Sequence, residues 1–348
     1  MKKFLALILA LAMAFSLVAC GGKSNISSNN GNQNDSESVK IGVLIPGSPT
    51  NGGFCQQGAN GAELLRTKGY DVSLVEAVTA EEIKSEAENM ANDGYKIVIG
   101  HGGQCDTPFA EISPDYPETW FIVTGGSIVT ENQFSFYMSG AEECMYVIGL
   151  VAGMMTKTNT IAYTLDGDFP AYTVHTNAFQ LGAETANPNV KTLAALLSTA
   201  TSTEGYETTL NQISAGADML YSNTNEAQAG AMKAAEENDG VYIFGNVDDF
   251  SSVAPSSCLC SLVTNYPAGF EKAVDAVMSG DFEPQILFVN MADGAATICW
   301  NEALKSTVPA EVLEAADQAC QDIMDGKIKV PSAYDLGPDY KIGGEVVR

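Results

Sequence analysis

The sequence is poor in basic residues and in histidine, and both shortages narrow its possible functions. It has 17 Lys and Arg against 43 Asp and Glu, so its formal net charge is −26, and it has two histidines. Such an acidic surface repels phosphate backbones, which excludes nucleic acid as an expected partner. With two histidines a nucleophile–base pair is hard to assemble, and no G-x-S-x-G motif occurs. We therefore expect a protein that is not an enzyme.

The sequence also has only one long apolar run. This run, Phe4 to Val18, follows two lysines and has the length of a secretory signal, which is too short for a comfortable membrane span. It ends in LVAC at residues 17–20, which resembles a bacterial lipoprotein processing site. We expect a signal peptide at residues 1–19 and acylation of Cys20, which would hold the protein on the extracytoplasmic face of the cell membrane. The alternative is an ordinary signal peptide followed by a chance cysteine.

The segment after the signal peptide has almost no apolar side chains. Residues 21–38 are rich in Ser, Asn and Gly and cannot bury enough surface to offset the entropy of ordering. We therefore predict a lipidated cysteine and flexible tether at residues 20–38, spanning on the order of 25 Å. The chain from residue 39 to residue 348 is too long for one simple core and predicts two lobes.

The sequence offers neither a disulfide framework nor a metal-binding pattern. If Cys20 is acylated, seven of the eight cysteines remain, an odd number that cannot be fully paired. Cys258 and Cys260 lie two apart on a predicted strand, so we expect both to face the same side of a sheet as small core residues. A redox or metal role for this pair is the alternative, but no histidine or second pair supplies ligands at zinc spacing. We therefore predict no metal and no cofactor.

Short apolar runs alternate with helical patterns along the rest of the chain. In residues 80–94, for example, Ile83, Ala87 and Met90 recur at helical spacing, and Gly94 follows as a helix end. Strands alternating with helices of roughly 10–15 residues predict parallel sheets built from right-handed βαβ units. This alternation of strands and helices occurs twice along the chain, so we expect an α/β fold of two doubly wound lobes. The predicted limits are residues 39–138 plus about 262–285 for lobe 1, and residues 139–261 plus about 286–348 for lobe 2.

Ligands of open parallel sheets bind beyond the carboxyl ends of the strands, so the loops after the predicted strands should form the site. These loops carry Asn, Gln, Asp, Thr, Gly and aromatic residues but no Lys or Arg. Such a set suits a neutral ligand with hydrogen-bonding edges and flat faces, and disfavours a phosphate or a carboxylate. The candidate ligand-binding residues are Asn51, Phe54, Gln56, His101, Gly102, Asp168, Phe169, Asn223, Asn225, Asp249, Asn265 and Tyr266.

Several of these candidates have more than one reasonable role. Phe54 follows two glycines, and we expect its ring to stack on the ligand; the alternative is a staple that pins the loop to the core. His101 is expected to line the pocket, with a structural role or catalysis as alternatives, because HGG at residues 101–103 resembles an esterase oxyanion loop. Asp249 is expected to contact the ligand or to cap a following helix. The other histidine, His175, is expected on a helix surface.

Residues 39–335 resemble the basic membrane protein (BMP) family of lipoproteins, which are substrate-binding components of ABC importers for purine nucleosides and related compounds. The most specific stretches are YVIGLVAGMMTKTNTIAY (146–163) and NAFQLGAETANPNV (177–190), with support from GADML (216–220) and GVYIFGNVDDFSSVAP (240–255). The resemblance implies the type I periplasmic-binding-protein fold, in which two doubly wound parallel-sheet lobes are joined by a multi-strand hinge.

The resemblance also implies roles for the loop residues. In nucleoside binders of this family the first loop carries Asp, an aromatic residue and Asn, and here these positions hold Asn51, Phe54 and Cys55. The GGF of this loop is closer to the GGW of a branch associated with purine bases. The paired aspartates that bind ribose hydroxyls correspond to Val247 and Asp249. The implied ligand is a purine nucleoside or nucleobase-like solute; another neutral solute such as a sugar, or an extracellular hydrolase, is the alternative.

The partners follow from the same resemblance. It implies an ABC permease and an ATPase, with the lipid anchor holding the receptor at the membrane. Closure of the two lobes over the ligand would change the outer surface, which a permease would read. We expect the receptor itself to be a monomer.

Overall fold

The computed structural model describes residues 38–50, 54–167, 170–331 and 345–346 of the chain. All of them belong to one structural unit, which begins at Ser38. The predicted signal peptide, Cys20 and the tether up to residue 37 lie outside the described residues, as do the candidates Asn51, Asp168 and Phe169. None of the helices in the described ranges combines the length and the apolar character needed to cross a bilayer.

Strands and helices alternate along the described chain, as the sequence pattern predicts. The strands are β1 (Lys40–Ile45), β2 (Asp71–Glu76), β3 (Ile97–Gly100), β4 (Trp120–Thr124), β5 (Gln133–Tyr137), β6 (Thr160–Leu165), β7 (Lys191–Leu196), β8 (Met219–Asn223), β9 (Tyr242–Gly245), β10 (Cys258–Thr264), β11 (Leu287–Phe288), β12 (Ala296–Trp300) and β13 (Glu345–Val346). The helices are α1 (Phe54–Thr67), α2 (Ala80–Asn92), α3 (Asp106–Ile112), α4 (Ser139–Met155), α5 (Pro170–Ala186), α6 (Ser202–Ser214), α7 (Ala227–Glu236), α8 (Tyr266–Met278), α9 (Glu302–Lys305) and α10 (Ala310–Met324).

The strands form two sheets, each covered by helices on both faces. The first sheet has the order β11-β5-β4-β3-β1-β2 and is parallel throughout. The second has the order β12-β10-β9-β8-β6-β7-β13 and is parallel except for the β10–β12 pair. Helices α1 and α8 cover one face of the first sheet and α2 and α3 the other, while α4, α5 and α10 lie opposite α6 and α7 on the second. The predicted fold class, an α/β fold with two doubly wound parallel sheets, is confirmed.

Helix α2 shows why the local sequence forms the element that was predicted. The Thr79 hydroxyl accepts the Glu82 N–H at 3.2 Å, and the Glu82 carboxylate accepts the Thr79 N–H at 2.9 Å, which is a capping box. Gly94, at φ +77°, follows the helix in the left-handed region, where glycine carries no steric penalty. Between these ends, the helix packs on the sheet through Ile83, Ala87 and Met90.

Within the described residues the chain passes between the two sheets three times. The crossovers run from β5 to α4, from β10 to α8, and from β11 to β12. They are bonded to one another, since Asn265 N–H donates to Ala295 O at 2.7 Å and Gly140 N–H donates to Val289 O at 3.1 Å. Residues 287–288 pair with β5 of the first sheet, slightly beyond the end predicted for the second segment of lobe 1 at about residue 285. The limits of the lobes otherwise stay a prediction.

Cys258 and Cys260 lie on β10 and are fully buried, so their prediction as core residues is confirmed. Their expected common orientation is wrong. The pairing of β10 with β9 shifts register between the two residues, and such a bulge interrupts the alternation of side chains. Cys258 consequently packs in the core that contains Leu220 and Cys260 in the opposite core, which contains Leu262. Burial raises the pKa of the Cys258 thiol to about 11 and also raises that of Cys260 well above its usual value, so neither is a thiolate at neutral pH.

Helices α4 and α5 approach so closely that their contact requires glycine. A Cβ added to Gly149 would overlap the carbonyl oxygen of Phe179, and one added to Gly182 would overlap that of Tyr146. These obstacles are backbone atoms of a packed helix, which cannot swing aside as a flexible side chain can. The stretches 146–163 and 177–190, which carry the family resemblance most strongly, therefore include the two halves of one helix–helix contact.

We expect Gly149→Ala to destabilise the fold by about 1–3 kcal/mol or more, because the added methyl forces two helix backbones apart. Urea unfolding measures the change. Met154→Ala is the matched control on the same helix, since the Met154 side chain is 39% exposed. This control should stay within about 0.5 kcal/mol of the wild type. Equal stabilities for Gly149→Ala and the wild type would contradict the close approach.

Candidate ligand-binding site

Phe54 is the first residue of α1 and follows the loop at the carboxyl end of β1. Its ring stacks on the imidazole of His101 with a centroid separation of 3.8 Å and an angle of 16° between the planes. Tyr266, the first residue of α8, meets both rings edge-on, at 5.3 Å from Phe54 and 5.2 Å from His101. Phe270 completes this aromatic cluster with an edge contact to His101 at 5.6 Å. Phe54 is half-buried, so part of its ring still faces solvent.

His101 lies beneath Phe54 and is fully buried. Its Nε2 is 2.7 Å from the carbonyl oxygen of Phe54, and its Nδ1 is 3.3 Å from the hydroxyl of Thr124. Because a carbonyl can only accept, Nε2 carries the hydrogen, and Nδ1 accepts from Thr124. Burial lowers the pKa of His101 to about 4, so the ring is neutral at pH 7. The His101 ring has no exposed surface in this structure and lies against Phe54, while its predicted role in lining the pocket stays a prediction.

Two glycines make room for this arrangement. A Cβ on Gly58, one turn after Phe54, would lie 2.6 Å from Cδ2 of His101 and 2.9 Å from Ile45. The imidazole can therefore lie flat against the first turn of α1. Gly102 follows the histidine and has φ +133°, a backbone conformation that residues other than glycine rarely adopt. Sequence reasoning missed Gly58, although a glycine inside a helical pattern indicates close approach.

In the second sheet, polar side chains meet at the carboxyl ends of β6 and β8. Asn225 is exposed, and its Nδ2 donates to Asp166 Oδ2 and to the Tyr172 hydroxyl, both at 2.9 Å. Asn223 is buried, and its amide donates to the Tyr172 carbonyl at 2.7 Å and accepts from Asn246 at 2.8 Å. Asn225 is thus the candidate of this group that faces solvent, whereas Asn223 holds the loops together. Asn246 was missed as a support, although its place directly after a predicted strand could have indicated it.

Asp249 has a local role different from the helix cap considered as its alternative. Its carboxylate accepts the N–H of Ser251 at 2.9 Å and the Ser251 hydroxyl at 2.6 Å, and these bonds lower the pKa of Asp249. The residues that follow form turns, not a helix, so Asp249 closes a turn of the Asx type. The carboxylate is exposed beside this turn.

Asn265, Tyr266 and Gln56 lie on the side of the first sheet. Asn265 is exposed just before α8, and its Nδ2 donates to Gly294 O at 3.0 Å, which ties it to the third crossover. Burial raises the pKa of Tyr266 to about 12, so its hydroxyl is neutral. Gln56 is half-buried on the first turn of α1. The structure therefore brings Phe54, His101 and Tyr266 into one cluster, and it gathers Asn223 and Asn225 separately on the second sheet.

The cavities of the fold lie away from these residues. One, of about 290 Å³, is lined by Lys96, Trp120, Val277, Met278, Gly280 and Phe282. Another, of about 320 Å³, lies between α10, β12 and the third crossover. Neither contains a predicted site residue. Among the residues described, no three His, Cys, Asp or Glu side chains are grouped so that they could hold a metal ion.

Two doubly wound sheets linked by three crossovers, with aromatic and amide side chains at the carboxyl ends of the strands, are an architecture that also occurs in two-lobed solute-binding proteins. A solved structure of an ABC transporter solute-binding protein from Conexibacter woesei has this fold, with a TM-score of 0.68 and 17% identity over 85% of this chain and 99% of that chain. Residues 38–333 match the family described as Bmp, ABC transporter substrate-binding protein PnrA-like. The chain belongs to this family, and the resemblance found from the sequence is confirmed.

Proteins with similar sequences have been given names that indicate different functions. The transcriptional activator protein med of Bacillus subtilis is 25% identical over 70% of this chain and 76% of that protein. A purine-binding protein of Brucella abortus is 22% identical over 84% and 83%. The ABC transporter nucleoside-binding protein BmpA of Lactococcus lactis is 20% identical over 95% and 100%. The family consists of solute-binding proteins of ABC transporters, which work outside the cytoplasm and are not known as enzymes.

The two histidines should make stability depend on pH. His175 is half-buried, which corrects its expected place on a helix surface, and its enclosed Nδ1 has no hydrogen-bond partner. Burial lowers the pKa of both His101 and His175 to about 4. In the unfolded chain the histidine pKa values are near 6.5, so between pH 4 and pH 6.5 the unfolded chain binds more protons than the folded one. The contribution of the two histidines to the free energy of unfolding is therefore fully present above pH 6.5 and is lost as the pH falls towards 4.

We expect a slope of up to about 1.4 kcal/mol per pH unit for each histidine in this window. His175→Gln should remove one of the two contributions. Urea unfolding of the wild type and of this variant, at several values from pH 7.5 to pH 5.0, measures both slopes. Identical slopes would show that His175 is not held in its neutral form by burial.

Val247 lies in the loop after β9 and has φ +73°, which is strained for a β-branched residue. Asn adopts this conformation more easily, so Val247→Asn should stabilise the fold by roughly 0.5–1 kcal/mol. The matched control is Val253→Asn in the same loop, where φ is not positive and the side chain is 54% exposed. Thermal unfolding of both variants tests this. A lower melting temperature for Val247→Asn than for Val253→Asn would refute the strain.

Proposed function

We propose that this protein binds a purine-like solute, either a nucleobase or a nucleoside, between its two lobes and delivers it to an ABC permease. The observation that carries the proposal is the ring of the partly exposed residue Phe54 at the carboxyl end of the first sheet, which stacks on the neutral imidazole of His101. A flat apolar face held in place by a second ring is suited to stacking on a heterocycle. The candidates Asn51, Gln56 and Gly102 are part of the same proposal as contacts from the first lobe.

The second lobe would recognise the edge of the ligand. Asn225, Asp166 and Tyr172 bring an amide, a carboxylate and a hydroxyl together at the ends of β6 and β8. These groups can donate to and accept from the ring nitrogens and exocyclic groups of a purine. Asp168, Phe169, Asp249 and Asn265 are proposed as further contacts from the surrounding loops.

Charge supports a neutral ligand. None of the candidate residues is a Lys or an Arg, and His101 is neutral at pH 7. A free phosphate or carboxylate would therefore lose its water without gaining a cationic partner from these residues. The relatives named for purine and nucleoside binding agree with this chemistry. Val247 replaces one of the two aspartates expected for ribose, which favours a base over a nucleoside.

The energetics require both lobes. An aromatic stack contributes about 0.5–1.5 kcal/mol beyond area burial, whereas micromolar binding requires about 8 kcal/mol. The polar groups of the second lobe must supply much of the remainder, and they reach the ligand when the lobes close about the crossovers. Closure changes the outer surface, which the permease and its ATPase would read. In the proposed setting the receptor is a monomer tethered to the membrane by acylated Cys20.

A ligand screen tests the function directly. We expect adenine, guanine, hypoxanthine and their ribonucleosides to raise the melting temperature, while ribose and glucose leave it unchanged. A ligand at a hundred times its dissociation constant stabilises the folded state by about 2.7 kcal/mol, which a thermal shift detects. Calorimetric titration then gives the affinity of each hit. A shift with the sugars alone would replace the purine proposal with a sugar receptor.

Phe54→Ala should weaken the binding of the best purine by about tenfold or more, since it removes the stacking face. The melting temperature without ligand should fall by only about 2–4 °C, because the ring is half-buried. Phe54→Trp is the control, which keeps a flat ring and should retain binding. Unchanged affinity in Phe54→Ala would refute the stacking role of this residue.

A further inference from the structure

His101 touches two different parts of Phe54. The imidazole lies under the ring, 3.8 Å away and nearly parallel to it, and Nε2 donates to the carbonyl oxygen of the same residue at 2.7 Å. One contact sets the plane of the ring, and the other sets the backbone that carries it. A purely structural histidine would need neither contact to be made with this particular residue.

We propose that His101 is the positioning residue for Phe54, holding the ring in the orientation in which its free face meets the ligand. This inference rests on the proposed function, because it assigns to His101 the support of the same stacking face. His101 acts through Phe54 and does not itself touch the solute, since its ring is fully buried.

The position of Phe54 in the chain explains why it needs such support. Phe54 is the first residue of α1, where no preceding helical turn restricts its side chain and where helix ends fray. The two residues before it in the sequence are glycines, which have no side chains that could pack against the ring. The ring is therefore ordered by what lies beneath and beside it, which is His101 below and Tyr266 at the edge.

The surroundings of His101 determine its tautomer. The Phe54 carbonyl can only accept, so Nε2 carries the hydrogen, and the Thr124 hydroxyl then donates to the unprotonated Nδ1. Gly58 provides the space for the ring. The side chains that contact the imidazole include Phe54, Thr124, Tyr266 and Phe270. Of these four, Tyr266 is titratable, and burial raises its pKa to about 12, so it is neutral at pH 7.

Two substitutions separate the two contacts. His101→Phe keeps a ring under Phe54 but loses the hydrogen bond, while His101→Gln keeps a donor near the position of Nε2 but loses the stack. We expect each to weaken the binding of adenine by about fivefold, measured by calorimetric titration. His175→Gln is the matched control at the other histidine and should bind adenine as the wild type does.

A double-mutant cycle tests whether His101 acts through Phe54. In a Phe54→Ala background, His101→Phe should cause no further loss, because the group that it positions is gone. An undiminished loss in that background, or no loss in the single variant, would overturn the positioning role. Unchanged affinity in Phe54→Ala would overturn the stacking role of Phe54 and with it the positioning role of His101, whereas failure of adenine and the other purines to bind the wild type would overturn the proposed function.

A spectroscopic measurement tests the inference without any ligand. The sequence contains two histidines, so nitrogen NMR of the imidazoles gives two sets of signals, and His101→Phe assigns them. We expect His101 to remain neutral, with its hydrogen on Nε2, from pH 8 down to pH 5. Titration of this ring near pH 6.5, or a hydrogen on Nδ1, would overturn the inference whatever the ligand proves to be.

Discussion

The candidate site depends on the contact between Phe54 and His101. An apolar ring at the start of a helix keeps a defined orientation only if something holds it, and here a buried neutral base contacts both the ring and its carbonyl oxygen. Gly58 permits the approach, and Thr124 orients the imidazole. The charge-free character of this face follows from the same burial, because enclosure keeps His101 unprotonated at neutral pH.

The aromatic cluster is also connected to the segments that join the sheets. Tyr266, which meets both rings edge-on, directly follows Asn265, and Asn265 bonds through its backbone and its side chain to residues 294–295 of the third crossover. One end of the proposed site and the junction between the lobes therefore share a single turn of chain.

Sequence patterns predicted the order of strands and helices, the α/β class with two sheets, and the family. They could do so because the alternation of strands with helices and the chemistry of helix ends are local properties of the sequence. They could not predict the opposite orientation of Cys258 and Cys260, which depends on a bulge in the pairing with another strand. They named His101 and Phe54 as separate candidates but could not place one beneath the other, since their contact joins residues 47 positions apart. Gly58 was visible in the helical pattern, but its purpose became clear only from the ring that it accommodates.

The overall charge and the site favour the same kind of solute by different routes. The formal charge of −26 repels anions over distances up to about the screening length of 8–10 Å. Within the site, a neutral imidazole, a neutral tyrosine and exposed amides offer stacking and hydrogen bonds but no fixed cation. An anionic solute is thus disfavoured both on approach and on contact. A neutral flat one pays no such penalty, and its affinity is then decided by how firmly Phe54 is held and how well the second lobe meets its edge.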